Sequence, residues 1–363
     1  MNKFLENRQI AFMMYCTILG YGVIGIPKDA AESAGTGGWF SLLMATIIFM
    51  FFAYLITYLQ YVYENKTLYE YSELLVGKLI TYVFLIICII YFFIFFSMVA
   101  RIYSETFKLI FLNKTPAIYI CILFYIVVFY ALKKGIVVIA RICEIYAFLN
   151  IIGFIFINFL LCTKGTWLNI QPLFVVGDIM TYLKGVVKLI LPFLGIEIIF
   201  FLPISRTNNK NIFKYTTLMV GFIGVLYVYI AESTIAVVGV DSVINLKAAS
   251  FNVLRGIDIY HLEFFRRIDG IYIIFWTMNI FCEICLYGYG AITFTKKIVK
   301  NSNHRYIAFI ITFIAFIVAM IPKRKEQVES IIKYNSYLGI IVCFVIPGIL
   351  FIITKVKKYD KQI

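Results

Sequence analysis

The sequence predicts an all-α integral membrane protein, with ten transmembrane helices in two inverted five-helix repeats and with the first and sixth helices broken. Three observations carry this expectation. Hydrophobic residues make up 63% of the 363 and charged residues only 14%, against about 25% charged in soluble domains. The apolar residues fall into runs near the roughly 20 residues that a helix needs to cross hydrocarbon. Two of those runs are interrupted by glycine and proline.

The first run, 8–31, comes after a polar start and lacks a small-residue cleavage site, so it is expected to stay as a membrane helix. It is interrupted by Gly20-Tyr21-Gly22-Val23-Ile24-Gly25-Ile26-Pro27. Against Ala, glycine costs about 1 kcal/mol in a helix and proline about 3. In hydrocarbon, freed backbone groups also find no water, so a break is expected only where bare backbone lines a cavity or meets a ligand. Runs 37–63, 79–111, 116–132 and 137–162 complete a first half, about 8–162.

Residues 163–183 are too polar to span and are expected to form caps or short surface helices. The sixth run, 184–204, is interrupted at Pro192-Phe193-Leu194-Gly195-Ile196-Glu197 and ends at Pro203. Runs 212–240, 268–298, 305–322 and 331–354 complete a second half, about 184–354. Between them, 241–267 holds Asp241, Asn245, Lys247, Arg255, Asp258, His261, Glu263, Arg266 and Arg267, and is expected to form caps or short surface helices. An odd number of spans per half inverts one half against the other, and interrupted spans at matching positions point to a midplane binding site. The whole chain, 1–363, reads as a single polytopic domain.

The net charge of +14 is spread over short loops. It reads as topology signal and contact with anionic membrane lipids, not as a nucleic-acid surface. Lys and Arg favour the side carrying both termini, which is expected to be cytoplasmic, although Lys323-Arg324-Lys325 runs against the bias.

The breaks supply the chemistry. A half-helix N-terminus presents free N–H groups and partial positive charge to a carboxylate. Unwound carbonyls suit an ammonium or a metal cation. The backbone at Gly20, Tyr21, Gly22 and Gly25, and around Gly195, is therefore expected to hold a zwitterionic head group. The competing reading is a plain structural kink. Glu197, inside an apolar run, is expected to face the interior with a partner, because charge at bilayer depth is expensive. That partner is a ligand ammonium, a cation or a proton, or else an internal ion pair with Arg101. Arg101 is a candidate for a carboxylate, and it also stands at i,i+4 to Glu105 or at snorkelling distance from the interface. Tyr91, Phe95 and Met98 share one face of the third span, as pocket lining or as ordinary packing. Glu283 shares the eighth span with Trp276, Asn279 and Tyr287, in a candidate polar relay.

Eight cysteines lie mostly within apolar runs and read as buried small hydrophobes. Cys282 and Cys285 have CxxC spacing without the βαβ context of a redox motif. His261 and His304 are the only imidazoles, and no metal site or cofactor is expected. No phosphate-binding loop, nucleophile elbow or zinc-protease motif occurs, so catalysis and ATP-driven pumping are not expected.

Three segments carry a resemblance. Leu19-Gly20-Tyr21-Gly22-Val23-Ile24-Gly25-Ile26-Pro27 resembles the first helix of the endospore germination permeases, the B subunits of nutrient germinant receptors. That family lies within the amino acid–polyamine–organocation transporter superfamily. Phe193-Leu194-Gly195-Ile196-Glu197-Ile198-Ile199-Phe200-Phe201-Leu202-Pro203 resembles its sixth helix, with Gly-x-Glu. Arg267-Ile268-Asp269-Gly270-Ile271-Tyr272-Ile273-Ile274-Phe275-Trp276 resembles the entry to its eighth. The resemblance implies a spore inner membrane protein that binds a small nutrient germinant, typically an amino acid, at the midplane and triggers germination. It also implies a larger membrane A subunit and a lipoprotein C subunit as partners. A cation- or proton-coupled amino acid symporter on the same fold is the alternative, and a structural or ion-conducting subunit with a vestigial pocket is a third reading, because fold alone does not decide function.

Overall fold

The structure is a computed structural model in which residues 5–246, 248–256, 268–299 and 303–358 are described. Among them every regular element is helical. Arg267, Lys247, Asp258, His261, Glu263 and Arg266 lie outside the described residues.

The first half comprises α1 (Asn7–Ala34), α2 (Gly38–Val62), the short α3 (Leu68–Val76), α4 (Lys78–Phe111), α5 (Ala117–Lys134) and α6 (Ile136–Cys162). Then come α7 (Ile179–Lys188) and an unwound stretch with two 3-10 turns, Leu191–Phe193 and Ile196–Phe201. The second half continues with α8 (Ile212–Val238), two short helices α9 (Val240–Asn245) and α10 (Ala249–Arg255), and α11 (Ile268–Ile298). It closes with α12 (His304–Met320), α13 (Lys325–Ile340), a π-helical turn Ile341–Val345 and α14 (Ile346–Val356). Seven helical stretches among the described residues are long and apolar enough to cross a membrane. The first of these, Asn7–Val62, contains both α1 and α2, turned at Gly35 with φ of +59°. Leu191–Phe201 and His304–Met320 are shorter apolar helical pieces.

Local sequence explains the ends. The Gln9 side chain accepts from the Glu6 amide at 3.2 Å and opens α1 as a capping box. Thr67 and Glu70 form a second box at α3, and Glu70 also pairs with Lys297 at the end of α11. Half-burial pushes the Glu70 carboxyl up, but the Lys297 ammonium and the Thr67 hydroxyl and amide outweigh it and hold the group below the usual glutamate value of 4.5.

The packing interleaves the halves. α1 is central, against α2, α6, α8 and α11, while α4 packs on α11 and α13. Outward faces stay apolar, with Leu79, Leu123, Val225 and Ile352 exposed. Apolar surface of this extent on every side is foreign to a water-soluble monomer and fits lipid.

One expectation is corrected. The first helix is not broken, because α1 runs unbroken through Gly20, Gly22, Gly25 and Pro27. Its glycines serve close approach instead. A Cβ on Gly20 would stand 2.0 Å from Glu283 Oε2, and one on Gly22 would stand 2.8 Å from the Tyr227 hydroxyl and 2.9 Å from the Pro192 carbonyl. Tertiary packing thus overrides the propensity cost. Pro27 removes one backbone bond, to the Val23 carbonyl, and the helix continues past it. The stretch 163–183 carries only short elements, the 3-10 turns Trp167–Ile170 and Val176–Asp178 and the start of α7 at Ile179. The sixth run is interrupted as expected, and 241–256 carries the short helices α9 and α10.

Candidate functional site

The interruption after α7 has a plain local cause. Pro192 has no N–H to give a helix, Leu194 is extended, and Gly195 takes φ of +134°. Glycine alone adopts that backbone without strain. Residues Ile196–Phe201 then form a 3-10 turn, longer than such turns usually persist. All six of its residues are buried, so tertiary contacts hold it.

Glu197 anchors this stretch. It is fully buried. Its Oε1 accepts from the Tyr91 hydroxyl of α4 at 2.6 Å and, more weakly, from the Tyr287 hydroxyl of α11 at 3.4 Å. Its Oε2 accepts from the Gly195 amide at 2.7 Å and from the Cys343 thiol at 3.0 Å. Cys343 is delivered by the π-helical turn after α13, the kind of bulge that concentrates at functional positions. Four elements therefore meet on one carboxylate.

Beside this hub lies a narrow cavity of about 10 Å³, room for about one water molecule and far below the roughly 300–1,000 Å³ of ligand-filled sites. α1 lines it with Thr17, Ile18, Tyr21 and Gly22. The unwound stretch adds Leu191, Pro192 and Leu194, α4 adds Phe95, and α11 adds Glu283 and Tyr287. Phe95 stacks on the Tyr287 ring at 4.9 Å. The Tyr227 hydroxyl sits 2.6 Å from the Ile18 carbonyl and 2.9 Å from that of Pro192, tying α1 to the unwound stretch through α8.

Glu283, expected in a polar relay along its helix, lines this cavity. It is 2% exposed, and its Oε2 finds no hydrogen-bond partner among the described residues. Both polar atoms of Asn279, one turn earlier and also buried, go unpaired among them too. The Trp276 indole N–H donates to the Gly20 carbonyl at 2.9 Å. Trp276, Asn279, Glu283 and Tyr287 recur at i, i+3, i+7 and i+11, a polar stripe along an otherwise apolar helix. That spacing is the signal that marks it.

The expected site residues divide. Gly20, Tyr21 and Gly22 lie at or beside the cavity, Gly195 packs against Ile18, and Tyr91 joins Glu197 at the hub. Gly25 faces the Asp29 carboxylate instead. Met98 is buried on α4 but does not line the cavity. Arg101 points elsewhere: it pairs with Glu105 at 2.7 Å and reaches Met320 Sδ at 3.3 Å and the Pro322 carbonyl at 3.5 Å. The structure thus gives Arg101 its i,i+4 partner and not Glu197.

Chemically, a buried carboxylate with an unmade bond, facing a narrow cavity, calls for a cation or a proton, since burying unpaired charge is costly. An aromatic and aliphatic lining beside it suits a small ligand with an apolar part.

Comparison with known proteins agrees with this architecture. The profile of the family described as "Spore germination protein" matches residues 4–328. Spore germination protein A2 of Bacillus subtilis is 27% identical over 348 residues, covering 94% of this chain and 93% of that protein. Spore germination protein B2 of the same organism is 25% identical over 365 residues, covering 98% and 96%. Among solved structures, a substrate-bound, outward-open Na⁺-coupled sialic acid symporter superposes with a TM-score of 0.65 at 12% identity, over 95% of this chain and 78% of that one. MhsT in complex with L-phenylalanine superposes with a TM-score of 0.64 at 11% identity, over 98% and 99%. At such identities these structures speak for the fold alone.

Proposed function

Because the chain belongs to the spore germination protein family, and so is a non-enzymatic integral membrane protein of the spore inner membrane, we propose that it is the germinant-binding B subunit of a nutrient receptor. The ligand is a small nutrient, an amino acid by preference, and it binds in the cavity between α1, the unwound stretch, α4 and α11. The observation that carries this reading is the unpaired oxygen of Glu283 against that cavity. A ligand ammonium satisfies it. The cavity has room for about one water molecule, so binding requires α1 and the unwound stretch to move apart and close again. A ligand shifts such an equilibrium by its differential affinity for the two arrangements, and a receptor's A and C subunits would read that shift.

The ten-crossing arrangement in two inverted halves is part of this proposal. It is supported by the helical stretches described above and by the likeness to symporter folds. A second reading rests on the same carboxylate: a buried acid that takes up and releases a proton would serve a proton-coupled amino acid symporter. Two experiments separate them. Thermal shift of the purified chain against the common amino acids and nucleosides tests binding, since a ligand adds RT ln(1 + [L]/Kd) of stability. Accumulation in proteoliposomes tests transport. Specific stabilisation without accumulation supports the receptor, and accumulation driven by a pH gradient supports the symporter.

A further inference from the structure

Three cysteines far apart in sequence converge in the bundle. Cys16 comes from α1, Cys143 from α6 and Cys282 from α11. Their sulfurs all lie within 4.8 Å of one another, and each residue is at most 1% exposed. The Cys16 thiol donates to the Cys143 carbonyl at 3.7 Å. All three are free thiols, and the group contains no imidazole and no carboxylate.

From this geometry we propose a trigonal three-sulfur site for a soft monovalent metal ion of the Cu(I) class. A metal–sulfur bond of about 2.3 Å places the three sulfurs of a trigonal ligand set about 4 Å apart, so the triad needs only a small contraction. Thiolate ligands without nitrogen or oxygen select soft ions. Coordination number decides between the candidates. Each of the three S–H bonds breaks as a metal–thiolate bond forms, the three protons leave to bulk water, and no electron is transferred. The three-coordinate site then carries two net negative charges. A zinc ion would ask for a fourth ligand, which this group does not offer. The position adds a consequence. Cys16 is one turn before Gly20, and Cys282 immediately precedes Glu283, so an ion here clamps α1 to α11 and α6 beside the cavity. The metal site itself stands whether or not the cavity binds a nutrient.

The test uses the full chain, reduced and purified in detergent under anaerobic conditions. Cu(I) is offered in the presence of a chromogenic Cu(I) chelator. The expected result is one ion per chain withheld from the chelator, with a rise in thermal midpoint. Cys16→Ser, Cys143→Ser and Cys282→Ser each weaken retention by about tenfold or more, and Cys88→Ser and Cys121→Ser leave it unchanged. Should the triad variants fail to fold, X-ray absorption of the wild-type Cu(I) form decides: three sulfurs at about 2.3 Å support the site. Complete loss of the ion to the chelator, retention indifferent to all three triad substitutions, or a nitrogen and oxygen shell would overturn it.

Discussion

Glu197 and Glu283 are both buried glutamates near one break, yet they do opposite work. Glu197 receives four donors and fastens the unwound stretch to α4, α11 and the π-helical turn. Glu283 keeps an oxygen unpaired against the cavity. Glu283→Gln is therefore expected to weaken ligand binding by tenfold or more, on the order of the 1.5–3 kcal/mol of a charged hydrogen bond, while leaving the empty protein as stable or more so. Thermal denaturation with and without ligand reads both effects. Glu197→Gln should act the other way, lowering stability before it touches ligand selectivity. Gly22→Val forces a side chain into Tyr227 and the Pro192 carbonyl. It should abolish ligand response while costing about 1–3 kcal/mol of overpacking. Arg101→Met, remote from the cavity, should leave the ligand dose–response unchanged, and a lost response would return Arg101 to the site. Glu197 was legible because a lone acid in an apolar run stands out. Its hydrogen-bond partners were not, because Tyr91, Tyr287 and Cys343 lie 90 to 146 positions away in the chain.

At the scale of elements, the two glycine-bearing runs look alike on paper and fold differently. In α1 the helix persists, and the glycines admit Glu283, Tyr227 and Pro192 from neighbouring elements. After α7, Pro192 and the positive φ of Gly195 stop the helix outright. Propensity reads the cost of a glycine but not what occupies the space it leaves, which is why one expected break was absent and the other present. Spans with ordinary loops, such as α2, α4 and α8, were legible to within a residue or two, because long apolar runs bounded by polar residues leave little choice. The Glu70–Lys297 pair ties α3 to the end of α11. The Glu70 carboxyl is held below 4.5. Its stabilising contribution is thus fully present above the unfolded value and is lost as pH falls through the lower folded value. Wild-type protein should show an acid-dependent loss of stability below about pH 4.5 that Glu70→Gln diminishes, with thermal midpoints across pH as the readout.

For the whole molecule, α1 packs at the centre of the bundle against α8 and α11, beneath an apolar exterior. In the proposed function, admitting a ligand to so small a cavity means moving α1 and the unwound stretch against α4 and α11. The class of the molecule was legible from composition alone. The cavity was not, since it is assembled from four elements whose side chains meet only in the folded bundle. The most direct measurement is thermal shift of the purified chain across common amino acids and nucleosides, run in parallel on wild type and Glu283→Gln. The account predicts a specific, saturable stabilisation of wild type by an amine-bearing nutrient, lost in Glu283→Gln. A shift of equal size in both proteins would contradict the assignment of Glu283, and no shift with any candidate would contradict a ligand site within this chain.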